Sequence, residues 1–284
     1  MKAPSFAYAK PSSREEVFDL LERYGDRARI LAGGQSLLAT LNLRLSAPEI
    51  LVDITGLPGF ASIEIAGDVV RIGALATHAE IARSPAIARH LPMLAQAVRH
   101  VGHVAIRNLG TFGGSIALAD PAAEYPACAL ALGATLTIAG RRGERHVVAR
   151  DFFKGLYETA LARDELLIAG LFPATRPPWR SSVVELARRH GDYAIVGVAA
   201  HAKVESGRLS EVRLAYFNVG RVPVLARNAA AALEGKSLDE ESVAAAQSAL
   251  ADDLDPQADL HASAATKLHL ARVLAGRALA ALVA

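Results

Sequence analysis

The sequence predicts an α+β protein of two domains, and three observations carry that reading. A succession of helix, strand, glycine loop, helix and strand fills the first 56 residues. From residue 57 onward the pattern changes to hairpin-like alternation with helices inserted. A polar stretch with two prolines, Arg176-Pro177-Pro178, then separates this region from a run of strands followed by alanine-rich helices. At 284 residues, 52% hydrophobic and 21% charged, the chain is long enough to bury two cores. The expected division is 1–176, with subdomains of about 1–56 and 57–176, and 177–284.

Ser12-Ser13-Arg14-Glu15 has the capping-box pattern, and Val17, Leu20, Leu21 and Tyr24 follow at helical spacing until Gly25 stops them. Ala28 to Ala32 reads as a short buried strand. The glycine loop Ala32-Gly33-Gly34-Gln35-Ser36-Leu37 comes next, then a helix from Leu37 to Leu45 ended before Pro48, then a strand from Ile50 to Ile54. The loop thus sits at the carboxyl end of a strand, where ligands bind in α/β units. Ile63 and Ile65, a Gly67-Asp68 turn, and Val70 and Ile72 make a β-hairpin. Thr77-His78-Ala79-Glu80 opens helical stretches that reach Val101, separated around Ser84-Pro85 and Leu91-Pro92. A second glycine loop, Thr111-Phe112-Gly113-Gly114-Ser115, precedes Asp120-Pro121, a helix through Leu132, and strands at Ala134 to Ala139 and Leu166 to Phe172. Beyond the prolines, strands are expected at 183–188, 194–204 and 211–219, the latter two joined at Glu205-Ser206-Gly207. Helices are expected at about 223–234, 239–251 and 261–282.

Composition excludes several function classes. Net charge is only +2, and Arg141-Arg142 and Arg188-Arg189 are the densest basic pairs, so the footprint of a nucleic-acid binder is missing. No apolar run reaches the eighteen or so residues of a membrane span, and Met1 to Ser13 lacks the apolar core of a signal peptide. A cytoplasmic location is expected. Cys128 is the single cysteine, which excludes an internal disulfide and any iron-sulfur cluster held wholly by this chain's cysteines.

The two glycine pairs carry the chemistry. Without a Cβ the backbone takes positive φ and lets successive N–H groups converge, a concavity that binds phosphate oxygens, above all at a helix N-terminus. Two such loops suggest a diphosphate, although each alone also fits an ordinary turn or cap. Neither a P-loop nor the Gly-x-Gly-x-x-Gly fingerprint is present at the first loop. His100 and His103 stand three apart, but no third ligand cluster stands near them. Cys128 reads as a buried helix residue.

Taken together, the two loops make the chain resemble the FAD-binding (medium) subunits of the molybdenum hydroxylases, the family of carbon monoxide dehydrogenase and xanthine dehydrogenase flavoproteins. Leu51-Val52-Asp53-Ile54, the run Ile72 to Ile81, Arg107-Asn108-Leu109-Gly110-Thr111, Ala119 to Glu124, Asp164-Glu165-Leu166-Leu167, Ala187 to Asp192 and His261-Ala262-Ser263-Ala264 match in order and approximate spacing. Phe112, Leu109 and Leu118 depart from the family's usual residues.

The resemblance implies a vanillyl-alcohol-oxidase (PCMH) type fold with FAD between two α/β subdomains, plus a C-terminal domain of three antiparallel strands and a helical bundle. It implies that Ala32, Gly33, Gly34, Gln35, Ser36 and Leu37, with Thr111, Phe112, Gly113, Gly114 and Ser115, clasp the FAD pyrophosphate. Glu124 would accept hydrogen bonds from ribose or adenine, or else is a solvated helix-face carboxylate. Asp120 would touch FAD or cap the following helix. Leu167 and Ile168 would pack near the isoalloxazine or else serve only as core, and Tyr193 would lie over the flavin ring or in the core of the second domain. No catalytic side chain and no metal site is expected in this chain.

The implied activity is electron transfer, from iron-sulfur clusters of a small partner subunit through FAD to an external acceptor. The hydroxylation itself takes place at a molybdopterin in a large partner subunit, in a dimer of heterotrimers. A free-standing flavin oxidoreductase of the same superfold and a non-catalytic assembly subunit are the alternatives.

Overall fold

The computed structural model describes residues 2–284. Its first unit is built from β1 (Ala7–Ala9), α1 (Arg14–Tyr24), β2 (Ala28–Leu31), α2 (Leu37–Asn42) and β3 (Ile50–Asp53). The strands form a parallel sheet in the order β1-β3-β2. β1 carries no apolar pattern because two of its three residues are exposed; Tyr8 fastens it by donating its hydroxyl to the Asp53 carboxylate. Ser13 caps α1 by accepting the Glu16 N–H, and Val17, Phe18 and Leu21 go into the core with Val52. α2 is shorter than the sequence suggests: the chain turns away at Arg44, φ +58°, before Pro48 is reached.

The second unit begins with the hairpin β4 (Ile63–Ala66) and β5 (Val69–Gly73). Then come α3 (His78–Arg83), α4 (Pro85–His90) and α5 (Pro92–Ala97). Each starts where its sequence permits: Thr77 and Glu80 form the reciprocal capping box of α3, while Pro85 and Pro92 stand in the first turns of α4 and α5, where a missing N–H costs nothing. A one-turn helix, α6 (Val104–Arg107), precedes α7 (Phe112–Leu118) and α8 (Glu124–Leu132). All nine residues of α8 are buried, so it reads as apolar on every face. The unit continues with β6 (Thr135–Gly140), β7 (Gly143–Val148), α9 (Ala149–Phe152), β8 (Phe153–Gly155), β9 (Glu158–Thr159) and β10 (Leu166–Pro173). Its antiparallel sheet runs β4-β5-β10-β6-β7.

The last unit consists of β11 (Trp179–Ala187), β12 (Ala194–Glu205), β13 (Arg208–Phe217), the two-residue edge β14 (Val224–Leu225), α10 (Arg227–Leu233), α11 (Glu240–Asp253) and α12 (Ala264–Val283). The sheet is antiparallel in chain order. One face carries the helices, around Val196, Val198, Tyr216, Leu274 and Leu279, with the Tyr216 hydroxyl donating to Ala271 O at 3.2 Å. Its other face joins the core of the second unit through Ala199, Ala215 and Phe217. β12 is therefore covered on both sides, which explains the apolar run over residues 194–200. β11 starts at Trp179, earlier than the hydrophobic pattern suggests, because Trp179 stacks on His201 with ring centroids 4.4 Å apart. Among the described residues no helix is long and apolar enough to cross a membrane.

Candidate functional site

A cavity of about 710 Å³ opens where the three units meet, within the size range of small-molecule and cofactor sites. The first glycine loop forms one wall. Gly34 is held at φ +71°, the left-handed region that glycine enters without strain. Among the described residues the backbone N–H groups of Gly33, Gly34, Gln35, Ser36 and Leu37 have no protein partner. The Gln35 side chain braces the turn by donating to Gly33 O at 3.0 Å, and Ser36 spends no hydroxyl on capping α2. Five consecutive unspent donors in a cavity wall are the kind of group that anionic oxygens can satisfy.

The second glycine loop works differently. Gly113 and Gly114 lie inside the first turn of α7, and the donors of that turn are already used. Phe112 N–H donates to Ala76 O and Gly113 N–H to Ala74 O, each at 2.8 Å; Gly114 N–H goes to the Thr111 hydroxyl at 3.0 Å, and Ser115 N–H to Thr111 O at 3.1 Å. The N–H groups of the first loop are thus left without protein partners, whereas those of the second are spent on Ala76, Ala74 and Thr111. Glycine is needed at 113 for contact: a Cβ there would lie 2.5 Å from Ala74 Cβ. Thr111 and the half-buried Ser115 line the cavity.

Gly33 brings the two loops together. A Cβ on it would stand 2.1 Å from Leu109 O and 2.7 Å from Gly110 Cα, so the first loop rests directly on the backbone that leads into α7. Gly110 in turn sits against the His78 ring, 2.7 Å from where its own Cβ would be.

Fourteen of the sixteen residues singled out from the sequence line the cavity, and two do not. Phe112 points the other way, fully buried between Tyr125 and Phe172 with ring centroids at 5.8 Å from each, over the space that Gly170 leaves. Ile168 is packed in the core of the first unit, its carbonyl accepting the Ala74 N–H at 2.9 Å. Leu166 takes its place beside Leu167; a bulge between Leu167 and Ala169 breaks the alternation that would otherwise put neighbours on opposite faces.

Asp120 does not cap α8, whose N-cap is Ala123. Its carboxylate instead accepts the Ala122 N–H at 2.9 Å and the Tyr157 hydroxyl at 3.4 Å, and burial raises its pKa. Glu124 is no solvated helix-face group: it is 8% exposed, and burial together with the charge of Glu185 pushes its pKa up to about 8. Tyr193 is no core aromatic either. It stands 64% exposed at the cavity rim, carried there by Gly191, which at φ +86° packs against the His103 ring.

His78 belongs to the site although its motif reads only as a helix cap. It lies in the cavity wall, buried, with its ring 5.3 Å from that of Tyr125 and its Nδ1 without a partner among the described residues. Burial, and then the Arg107 charge, lowers its pKa to about 4, so the ring is neutral at pH 7. Arg107 donates to Val101 O at 3.1 Å and Gly102 O at 2.6 Å and so shapes the neighbouring wall. Cys128 is wholly buried, and burial raises its thiol pKa.

The profile of the FAD binding domain in molybdopterin dehydrogenase matches residues 4–175, and that of the CO dehydrogenase flavoprotein C-terminal domain matches residues 181–282. The nicotine 6-hydroxylase medium subunit of Paenarthrobacter nicotinovorans is 41% identical, over 93% of this chain and 92% of its own length. The carbon monoxide dehydrogenase medium chain of Hydrogenophaga pseudoflava is 34% identical over 98% of this chain and 97% of its own. A solved carbon monoxide dehydrogenase from Hydrogenophaga pseudoflava superposes with a TM-score of 0.97, 36% identity and coverage of 100% of this chain and 99% of that chain. Quinoline 2-oxidoreductase from Pseudomonas putida 86 gives 0.94 and 38%, covering 99% and 98%. With profile and structural matches spanning nearly every residue, the chain belongs to the family of FAD-binding medium subunits of molybdopterin dehydrogenases.

Proposed function

We propose that this chain is the electron-transfer flavoprotein subunit of a heteromeric molybdenum hydroxylase, an oxidoreductase component that binds FAD in the cavity between its units. The observation that carries the reading is the row of five free N–H groups from Gly33 to Leu37, set in a cavity whose other walls are largely apolar. The same row is the test of fit, and FAD passes it: a diphosphate needs clustered donors, and the rings at either end need apolar walls.

In this proposal Ala32 to Leu37 hold the diphosphate, with Thr111 and Ser115 adding hydroxyl donors. Asp120 and Glu124 bond polar edges of the cofactor, while Leu167 and Tyr193 flank the flavin ring. Phe112 and Ile168 act only by supporting these walls. FAD, when bound, supplies the redox chemistry, accepting electrons and passing them on. The residues of this chain bind it, orient it and keep water from its buried side. His78 stays neutral, so it adds no positive charge to the site.

A single, wholly buried cysteine leaves no iron-sulfur cluster to this chain, so the clusters and the molybdopterin belong to a small and a large partner subunit. We propose a dimer of such heterotrimers in the cytoplasm, and chain units of 1–176 and 177–284. The test is to purify the chain with its natural neighbours and measure flavin, iron and molybdenum. A yellow-brown complex with one FAD per copy of this chain is expected; a colourless chain that binds neither FAD nor partner refutes the reading.

A further inference from the structure

His78 is a polar group of the cavity wall that the protein itself leaves unsatisfied. The residue is 5% exposed and lines the cavity. Its Nδ1 is fully enclosed and has no hydrogen-bond partner among the described residues. Tyr125, whose ring lies 5.3 Å away, does not serve it, because the Tyr125 hydroxyl is unpartnered too. No described protein group bonds Nε2 either, and since Nε2 is not enclosed as Nδ1 is, it is the nitrogen that keeps access to the cavity. A neutral imidazole carries one N–H and one bare nitrogen. Sealing the N–H away from any acceptor is the less tolerated arrangement, so the proton belongs on Nε2.

The main chain fixes where that N–H stands. The backbone N–H of His78 donates to Gly110 O at 2.9 Å, and Thr77 bridges to Thr111. A Cβ on Gly110 would stand 2.7 Å from the ring's Cδ2 and 2.9 Å from its Nε2, while a Cβ on Gly33 would stand 2.7 Å from Gly110 Cα. Gly110 is therefore the shared neighbour of the His78 ring and of the first glycine loop. Without a side chain at 110, the Nε2 edge comes close to the wall that carries the free N–H groups of residues 33–37. Burial keeps the ring neutral at pH 7, so it offers this wall a donor and no charge.

We propose that His78 is a diphosphate-binding residue, whose Nε2–H donates to an oxygen of the same diphosphate that the N–H groups of residues 33–37 receive. That this diphosphate belongs to FAD rests on the function proposed above. The site then receives its anion through one side chain as well as through the backbone, and the enclosed Nδ1 fixes which nitrogen does so.

Rebinding of FAD and of ADP to the flavin-depleted complex tests it, with the melting temperature recorded for every variant. His78→Gln places an amide N–H near the position of Nε2, His78→Asn places one near that of Nδ1, and His78→Phe fills the space of the ring with no donor. Loss of one hydrogen bond to an anionic oxygen should weaken both ligands about ten-fold in His78→Asn and His78→Phe. His78→Gln is expected to recover most of that loss for both, a rescue that a merely space-filling ring would not show. Wild-type affinities in His78→Asn and His78→Phe, a glutamine variant as weak as the asparagine one, or a loss seen for FAD and absent for ADP would overturn the proposal. A wild-type complex that binds neither FAD nor ADP refutes the functional reading as well.

Discussion

Replacing Gly33 by alanine should weaken FAD binding more than any other single-methyl change in the cavity wall. The added Cβ would lie 2.1 Å from Leu109 O and 2.7 Å from Gly110 Cα, and both neighbours are backbone, so no side chain can swing aside. Forcing a methyl group into a closed contact costs about 1–3 kcal/mol. Because the first loop borders a cavity on its other side, the cheapest relief is for residues 33–37 to back away from α7 and into the space where the diphosphate is proposed to sit. Charged to binding, that cost is roughly a 5- to 150-fold loss of affinity.

Flavin can be removed from the assembled complex and rebound, with flavin fluorescence quenching as the readout and thermal melting recorded in parallel. Gly56→Ala is the matched control, since its Cβ would meet only the flexible Lys10 Cε, at 3.3 Å, and it should bind FAD as wild type does. Wild-type affinity in Gly33→Ala would refute the claim that the two loops are docked through this residue. A valine at 114 is a poorer probe, because its Cβ meets Thr111 Oγ1 at 2.8 Å and attacks the cap of α7 rather than the anion receptor.

Tyr193→Ala should keep the FAD content of the complex but change the rate at which reduced flavin is reoxidised by its acceptor, because the ring stands at the rim with most of its surface exposed. Unchanged half-reactions in stopped-flow would remove Tyr193 from the site. Asp259, in the connection before α12, is exposed but its pKa falls to about 2: what burial it has pushes the other way, and the buried Lys267 ammonium at 2.7 Å and the His261 and Ala262 N–H groups outweigh it. A depressed carboxylate contributes stability that is present above its unfolded pKa near 4 and is lost as pH falls through about 2. Asp259→Asn should therefore lower the melting temperature of the complex at neutral pH, with the gap to wild type closing below about pH 3. A gap independent of pH would sink the ion-pair account.

What the sequence made legible was whatever depended on burial pattern or on a local cap. α1 announces itself through Ser13 and the spacing of Val17 and Leu21, α3 through Thr77 and Glu80, and the first hairpin through Gly67 at φ +61°. β7 stayed silent because nearly all of Gly143–Val148 is exposed, so it has no apolar face to alternate. α6 is a single turn with no buried residue. At the site the same division holds. The role of Gly34 follows from its φ, but the roles of Gly33, Gly110 and Gly113 follow from what lies across from them, and a sequence does not print its long-range contacts. Phe112 was misplaced for that reason: its position beside two glycines suggests the loop, while the gap over Gly170 decides where the ring goes. His78 hid inside a capping box, whose consensus says nothing about which way the second residue faces.

The charges around the cavity explain why backbone, rather than basic side chains, has to receive the diphosphate. Arg29 is the one arginine or lysine among the described lining residues, against Asp120, Glu124, Glu165 and Asp192. One of its guanidinium nitrogens, Nη1, is spent on Asp26 O and Ala28 O at 2.8 Å each. A phosphate oxygen entering such a site meets one arginine at most, and two of the acids, Asp120 and Glu124, are held toward their neutral forms by burial, which reduces the repulsion it meets. The larger set of donors is the peptide dipoles at residues 33–37, whose N–H groups can converge because Gly34 adopts positive φ and can stay in place because Gly33 lets the loop lean on Leu109. The receptor and its foundation are thus adjacent glycines with different physical duties, and only the second of them ties the site to the packing of one structural unit on another.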